Sequence, residues 1–249
     1  MNHCLGALDG KHIVVRCPKK AGSIYYNYKG FHSIIILALV DAEYKFVWVD
    51  IGANGSAGDA QVFNRSEFRE SIENNTIGFS APDPLPGDDR RTGYFIVADD
   101  AFALRTWLMK PYASRNLTVF QRIFNYRLSR GRRIVENAFG ILAHIFQCFT
   151  TTMRQQPAAV TSISLACVHL HNLMRIRYPG VQNAALDQED ENHNIIPGAW
   201  RQGRVLPDPG DLDGPNARHH TQAAKALRDY LKEYYNSEAG SVPWQNDMI

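Results

Sequence analysis

The sequence predicts an α/β fold, in which a sheet of apolar strands is flanked by helices. Two short, apolar segments indicate buried strands: SIIILALV at 33–40 and YFIV at 94–97. A third segment, RLSRGRRIVENAFGILAHIFQCF at 127–149, predicts a helix because its apolar residues recur at offsets of three and four. A chain of 249 residues is long enough to bury a substantial core around such a sheet.

The first third of the chain predicts three strands and a helix. The segment LGALDGKHIVVRC is the first strand and carries Asp9. Residues 32–52 predict an antiparallel hairpin with its tip near Asp41–Tyr44, where polar residues separate two apolar runs. A helix is predicted within 55–73, and a loop rich in Pro, Gly and Asp follows at 74–93.

The rest of the chain predicts one more strand and a set of helices. The strand YFIV leads into Asp99, and AFALRTWLMKPY after it predicts a helix. Glu136 lies inside the helix at 127–149, and a further apolar helix is predicted from about Ala158 to Arg177. The expected organisation has three parts: a catalytic domain at 1–178, an acidic, proline-containing linker or lid at 179–218, and an amphipathic C-terminal helix and tail at 219–249.

The net charge of +2 conceals two segments of opposite sign. Residues 105–154 contain nine basic residues and one acidic residue, Glu136, whereas residues 187–213 contain seven acidic and two basic residues. A basic segment of this kind attracts a polyanion such as DNA.

Cysteine usage and hydropathy exclude several classes of protein. The four cysteines are scattered, which predicts reduced thiols rather than a disulfide framework. The set Cys167, His169 and His171 would share a face only on a strand, and its surroundings are helical, so zinc is not favoured. The longest apolar run is too short to cross a bilayer and no secretion signal is visible, so we expect an intracellular protein with no membrane partner.

Three acidic residues come from three predicted elements: Asp9 from the first strand, Asp99 from the end of YFIV, and Glu136 from the long helix. Carboxylates gathered at the end of a sheet repel one another unless a cation lies between them. Mg²⁺ prefers oxygen ligands, and two such ions can assist phosphoryl transfer.

Six ordered segments carry a resemblance to a known family: LDGKH, VDIGANGSAGDAQVFNRS, FIVADDAF, LMKPY, FNYRLSRGRRIVENAFGIL and VHLHNL. Together they resemble the DDE catalytic domain of PIF/Harbinger-type transposases and of their domesticated nuclease-like relatives, over about residues 5–178. The resemblance implies a ribonuclease-H-like α/β fold with a C-terminal helical extension. It also implies cleavage and strand transfer of DNA by two Mg²⁺ or Mn²⁺ ions, and a nuclear location, or a cytoplasmic one without a partner.

The resemblance assigns the catalytic triad to Asp9, Asp99 and Glu136, and adds Asp59 as a fourth metal ligand or a supporting acid. Asp99 leaves 36 intervening residues before Glu136 and Asp100 leaves 35, so the spacing does not choose between them. Alignment of ADDAF with the family motif places Asp99 at the metal. A simpler role for Asp59 is that of an acidic residue at a helix N-terminus.

The same resemblance, with the basic segment, gives candidate contacts to DNA phosphates: Lys11, His12, Lys29, Arg127, Arg130, Arg132 and Arg133. A hydrogen-bonded structural role is an alternative for His12. The expected partners are DNA and a Myb/SANT-like DNA-binding protein, and a homo-oligomer is left open. Family members carry a helix-turn-helix-like region before the catalytic domain, which we do not expect in this chain.

Two other functions compete with the nuclease interpretation. One is a transposase-derived adaptor that binds DNA or chromatin without catalysis. The other is a metal-dependent phosphatase or nuclease for small substrates, which would need no extended phosphate-binding surface.

Overall fold

The computed structural model describes residues 1–113, 115–208 and 221–249. Its centre is a five-stranded mixed sheet in the order β3-β2-β1-β6-β7. The strands of the sheet are β1 (Cys4–Val14), β2 (Ser33–Val40), β3 (Phe46–Asn54), β6 (Phe95–Val97) and β7 (Leu108–Met109). The α/β prediction is therefore confirmed.

The predicted hairpin forms from β2 and β3, which pair antiparallel around a turn at Asp41–Tyr44. The side chain of Asp41 closes this turn by accepting the backbone N–H groups of Glu43 and Lys45. Every residue of β2 is buried, because helices cover both faces of the sheet and because β1 and β3 pair with the two edges of β2.

The predicted helix in AFALRTWLMKPY is wrong. After a turn, Leu108 and Met109 form β7, which pairs in parallel with Ile96 and Val97 of β6. The apolar run there is too short to establish a helical period, and Pro111 cannot continue a ladder. Pairing with the edge of β6 therefore determines the strand conformation of Leu108–Met109.

Helices lie on both faces of the sheet. On one face, α3 (Val119–Ile145) and α4 (Pro157–Arg177) pack against β1 and β3, and α6 (Gln222–Asn236) packs on α3. On the other face lie α1 (Asp59–Asn64) and α2 (Glu67–Glu73). A capping box between Thr118 and Gln121 fixes the start of α3.

Shorter elements complete the described chain. They are α5 (Pro179–Asn183), the ladder of β4 (Asp83–Pro84) with β5 (Arg91–Thr92), the ladder of β8 (Gln188–Glu189) with β9 (Ile195–Ile196), and 3-10 turns at Gln147–Thr150, Ala199–Gln202 and Gln245–Met248.

The acidic segment predicted as a linker or lid packs onto the domain as far as it is described. Trp200 is buried against α3, where its indole N–H donates to Asn137 at 2.8 Å. Residues 209–218 of the same prediction lie outside the described residues. In the described ranges, no helix has the length and hydropathy of a membrane span. The four cysteines are free thiols, and Cys17 is exposed.

Candidate active site

A cleft opens where the pairing between β1 and β6 ends. β6 pairs with β1 only from Cys4 to Ala7, so the two strands separate before Asp9, and farther along this edge the His12 N–H donates to the Pro207 carbonyl at 2.8 Å. The cleft at this edge has a volume of about 520 Å³. It brings together the four predicted metal ligands, Asp9, Asp59, Asp99 and Glu136, and is also lined by Lys11, Arg132 and residues of the acidic segment.

The sheet register places two of the acids beside each other. Ala7 of β1 pairs with Val97 of β6 in parallel, and Asp9 and Asp99 each follow two residues later. Side chains two residues apart on a strand share a face, so both carboxylates point to the same side where the strands separate. The Asp99 carboxylate also accepts the backbone N–H of Ala101 at 2.9 Å, which holds the turn after β6.

Asp59 enters the cleft through a space left by Gly10. It is the first residue of α1, on the opposite face of the sheet from α3, and is 6% exposed. A Cβ on Gly10 would lie 2.3 Å from Asp59 Oδ1, so only glycine allows this approach. Asp59 Oδ1 is buried and has no hydrogen-bond partner among the described residues.

The electrostatics of Asp59 follow from this position. Burial raises the pKa of the Asp59 carboxyl well above its usual range, and the negative charges of Asp9 and Asp99 raise it further. An unpartnered carboxylate oxygen beside two other acids is a site that favours a cation.

Glu136 comes from α3 and faces the other acids across the cleft. Arg132, Glu136, Phe139 and Gly140 all line the cleft, at spacings that place them along one stripe of the helix. The side chain of Glu136 is 38% exposed. The side chain of Asp9 is 8% exposed, so Glu136 is the more accessible of these two acids.

Lys11 supplies a positive charge to the sheet side of the cleft. Its Nζ lies 3.1 Å from Asp9 Oδ2 and is also bonded to Asp208 Oδ1. Burial by itself would lower the pKa of Lys11, but the charges of Asp9 and Asp208 outweigh burial and raise it. Lys11 is therefore a protonated partner that compensates Asp9.

Five cleft residues from the acidic segment were missed by the sequence analysis: Trp200, Arg201, Val205, Leu206 and Asp208. The Arg201 guanidinium binds the Asp187 carboxylate at 2.7 and 2.8 Å, and its Nη2 lies 3.9 Å from Glu136 Oε2. The opposite charges of residues 105–154 and 187–213 were the available signal, together with a Trp within a polar segment, which is unusual for a solvated linker.

The residues fit a divalent metal by chemistry, although the structure does not assemble a complete site. Within the described ranges, no group of three or more His, Cys, Asp or Glu side chains lies close enough to hold a metal ion. The donors are nevertheless carboxylate oxygens, which hard divalent cations prefer, and Asp59 Oδ1 is buried without a partner.

The structure distinguishes Asp99 from Asp100. Asp99 lines the cleft, whereas the Asp100 carboxylate lies 3.0 Å from Lys110 Nζ and does not line the cleft. Lys110 also donates to the backbone carbonyl of Asp100 at 2.8 Å, which fixes this turn.

The DNA-contact candidates are spread over several surfaces. Lys11 and Arg132 lie in the cleft, and Lys29 is exposed on a loop beside Tyr28. Arg130 pairs with Glu189, and Arg133 is half-buried. Their contact with DNA stays a prediction.

Two of these candidates are held by internal contacts that do not favour a role at the surface. Arg127 donates to the Gly240 carbonyl and to Gln245, which ties α3 to the C-terminal segment. His12 is fully buried with Nδ1 2.9 Å from Ser33 Oγ, and burial lowers its pKa to about 4. Its position agrees with the hydrogen-bonded structural alternative.

Comparison with known proteins identifies relatives in vertebrates and in a plant. The chain is 26% identical over 172 residues to the Homo sapiens protein named "Putative nuclease HARBI1", which covers 68% of this chain and 45% of that protein. The Xenopus laevis protein of that name is 27% identical over 172 residues, with the same coverage. "Protein ALP1-like" of Arabidopsis thaliana is 26% identical over 175 residues, 69% of this chain and 43% of that protein.

The chain spans less than half the length of these curated relatives. No solved structure matches it. A family model described as DDE superfamily endonuclease matches residues 8–172, about two thirds of the chain, and this range contains Asp9, Asp59, Asp99 and Glu136. The chain therefore belongs to the DDE superfamily of endonucleases.

Proposed function

We propose that this chain is the catalytic part of a metal-dependent DNA endonuclease of the transposase type, which cleaves phosphodiester bonds and transfers the strand end. One observation supports the proposal most: four acids from four separate elements line a single cleft, with Lys11 and Arg132 beside them. Superfamily members generally use divalent metal ions.

We also propose that the core is ribonuclease-H-like. Support comes from the mixed sheet with helices on both faces, three antiparallel strands followed by two parallel ones, and the first acid on the central strand β1.

Asp9, Asp59, Asp99 and Glu136 would hold two Mg²⁺ or Mn²⁺ ions. Bound there, such ions supply positive charge that activates a water and stabilises a leaving oxygen.

The chain's own residues would bind and orient the DNA. Lys11 and Arg132 donate to phosphate oxygens from opposite walls of the cleft. Trp200 and Phe139 exclude water from the end of the cleft near Gly140, which strengthens electrostatic contacts inside it.

The first test replaces Glu136 with Gln and measures Mn²⁺-dependent nicking of supercoiled plasmid. We expect nicking to fall by at least ~10³-fold, because one ligand charge is lost, while the affinity for DNA stays within about twofold. Glu238→Gln, an exposed acid on the C-terminal segment, is the control for net charge. Equal nicking by Glu136→Gln and the parent protein would contradict the proposal.

A second test compares neighbouring acids. Asp99→Asn should abolish nicking, whereas Asp100→Asn, which removes only the charge that pairs with Lys110, should retain it within roughly tenfold. The reverse result would assign the metal-binding role to Asp100.

The adaptor function is favoured by one observation: inside the cleft, Lys11 is paired with Asp208, and Arg201 lies 3.9 Å from Glu136. DNA binding without nicking in either Mg²⁺ or Mn²⁺ would select it. A small-substrate enzyme would instead hydrolyse phosphoesters and show no salt-dependent binding to long DNA.

A Myb/SANT-like partner and a nuclear location belong to the same proposal and derive from the resemblance to Harbinger-type proteins. They predict that the tagged chain accumulates in nuclei only when such a partner is co-expressed. Fluorescence imaging with and without the partner measures this.

A further inference from the structure

A groove runs along the outer edge of β3, on the far side of the sheet from β6 and β7. It has a volume of about 420 Å³ and is lined by Trp48–Ile51 of β3, by Arg65–Phe68 at the start of α2, and by Thr161 and Leu165 of α4. A second hollow of about 560 Å³ continues it toward Asn54 and shares Asp50 and Arg65 with it. The strand edge thus forms the floor of a groove with a wall on each face of the sheet.

The backbone at the floor of this groove is open. Trp48–Ile51 pair with β2 in regular register, and a register irregularity lies at each end of this segment. None of the described residues forms a backbone hydrogen bond with the outer side of Trp48–Ile51. A strand edge of this kind can pair with an added strand through main-chain hydrogen bonds.

The same edge is closed where the strand begins. At Phe46, the Asn172 side chain accepts the backbone N–H and donates to the backbone carbonyl, both at 2.9 Å. An amide side chain there takes the place of a neighbouring strand. Phe46 therefore cannot pair with an added strand, whereas Trp48–Ile51 can.

The two walls of the groove differ in chemistry. Trp48 stacks on Phe68 at 4.6 Å, and Asp50 lies on the same face of the strand beside Glu67. Burial, followed by the charge of Glu67, raises the pKa of the Asp50 carboxyl. This face therefore suits the stem and charge of a Lys or Arg.

The opposite wall is apolar. Val49 and Ile51 face α4, and Leu165 of α4 is 40% exposed at the groove. An added strand that presents a basic residue toward Asp50 presents its two neighbours to this wall, because side chains alternate along a strand. The groove thus fits an extended segment with the pattern apolar–basic–apolar.

A second copy of this chain fits the groove less well. Antiparallel pairing of β3 with itself about a two-fold axis within Trp48–Ile51 brings the two Asp50 carboxylates close together across the new ladder.

We propose that the edge of β3 binds an extended, basic-centred peptide segment of a partner protein, which adds a sixth strand to the sheet and places a Lys or Arg between Asp50 and Glu67. Asp50 lies opposite Leu37, which lies opposite Gly10, so this site is two strands, roughly 10 Å, from the catalytic cleft. The inference does not depend on catalysis.

The test uses the full chain and a labelled peptide with the core Thr-Val-Lys-Val-Thr, with binding followed by fluorescence anisotropy. We expect saturable binding, and at least ~10-fold weaker binding when Glu replaces Lys in the peptide. Asp50→Lys should reverse this preference, and Asp50→Asn should weaken binding of the Lys peptide. Glu238→Lys, which changes the net charge by the same amount as Asp50→Lys, should leave binding of the Lys peptide unaltered.

Hydrogen exchange then separates strand addition from simple charge attraction. Amides within Trp48–Ile51 should exchange more slowly when the peptide is bound, while nicking activity is the same in the parent protein and Asp50→Asn. Failure of the Lys peptide to bind, binding without this protection, or equal weakening by Glu238→Lys would overturn the proposal. Concentration-dependent dimerisation that protects the same amides without peptide would also overturn it, in favour of self-association.

Discussion

The two walls of the candidate active-site cleft are built in different ways. The sheet wall carries Asp9 and Lys11 on β1, and Asp59 reaches it past Gly10. These groups are buried, and β1 is fixed by the register of β2 and β6. Strand register therefore positions Asp9 and Asp99, and the absence of a side chain at Gly10 admits Asp59.

The helix wall depends on a contact between distant parts of the chain. Glu136 projects from α3. Trp200 and Arg201 contact this helix from a segment more than 60 residues later in the chain. Gly140 permits this contact, since a Cβ there would lie 2.2 Å from the indole Cδ2 of Trp200. We therefore expect a change at this contact to displace Trp200 more than the sheet acids.

A pair of matched glycine substitutions tests this difference between the walls, with the largest effect expected of the three tests that compare them. Gly10→Ala should lower Mn²⁺-dependent nicking by at least ~10²-fold, because it displaces Asp59 from the acids of the sheet wall. Gly140→Ala should displace Trp200 and keep nicking within roughly tenfold. Both should lower the free energy of unfolding by about 1–3 kcal/mol, as measured with urea.

Equal loss of nicking in the two glycine variants, at matched folded fractions, would contradict this distinction. It would show that the helix wall is as necessary as the sheet wall.

The pH dependence of stability tests the sheet wall next. The pKa of Asp59 is raised in the folded protein, so the folded state keeps this proton at pH values where the unfolded chain has released it. Stability of the metal-free protein should therefore fall as pH rises from about 4 toward the folded pKa. Asp59→Asn should lack this loss and should be the more stable protein at neutral pH.

Urea unfolding in EDTA at a series of pH values measures the effect. Mn²⁺ should restore stability to the parent protein at neutral pH and should do so less for Asp59→Asn, because an ion that binds only the folded state stabilises it. Parallel pH profiles for the two proteins in EDTA would show that Asp59 does not retain its proton.

The smallest effect concerns the contact that joins the two walls. Asp208→Asn removes the carboxylate that occupies Lys11 and should lower the Kd for DNA by about two- to fivefold at low salt. The gain should shrink as salt rises, because exposed charges are screened. Fluorescence anisotropy with a DNA duplex measures this, with Glu238→Gln as the control for net charge. An unchanged or higher Kd would show that Lys11 does not bind phosphate.

The fold was largely predictable because its elements have strong local patterns. The buried run 33–40, the hairpin turn and the periodicity of α3 and α4 each specify an element before any long-range contact is considered. The segment Leu108–Met109 was not predictable, because two apolar residues carry no period and their pairing with β6 determined the result.

The acidic residues of the candidate site were predictable from the sequence. Asp9, Asp99 and Glu136 stand in motifs whose order and spacing are visible along the chain, and the match over residues 8–172 confirms the family. Long-range contacts were needed to show that Asp100 pairs with Lys110 outside the cleft, that His12 is buried, and that the described part of the acidic segment covers the helix wall. The physical reason is that a motif is local, whereas burial, strand register and charge pairing are set by residues far apart in sequence.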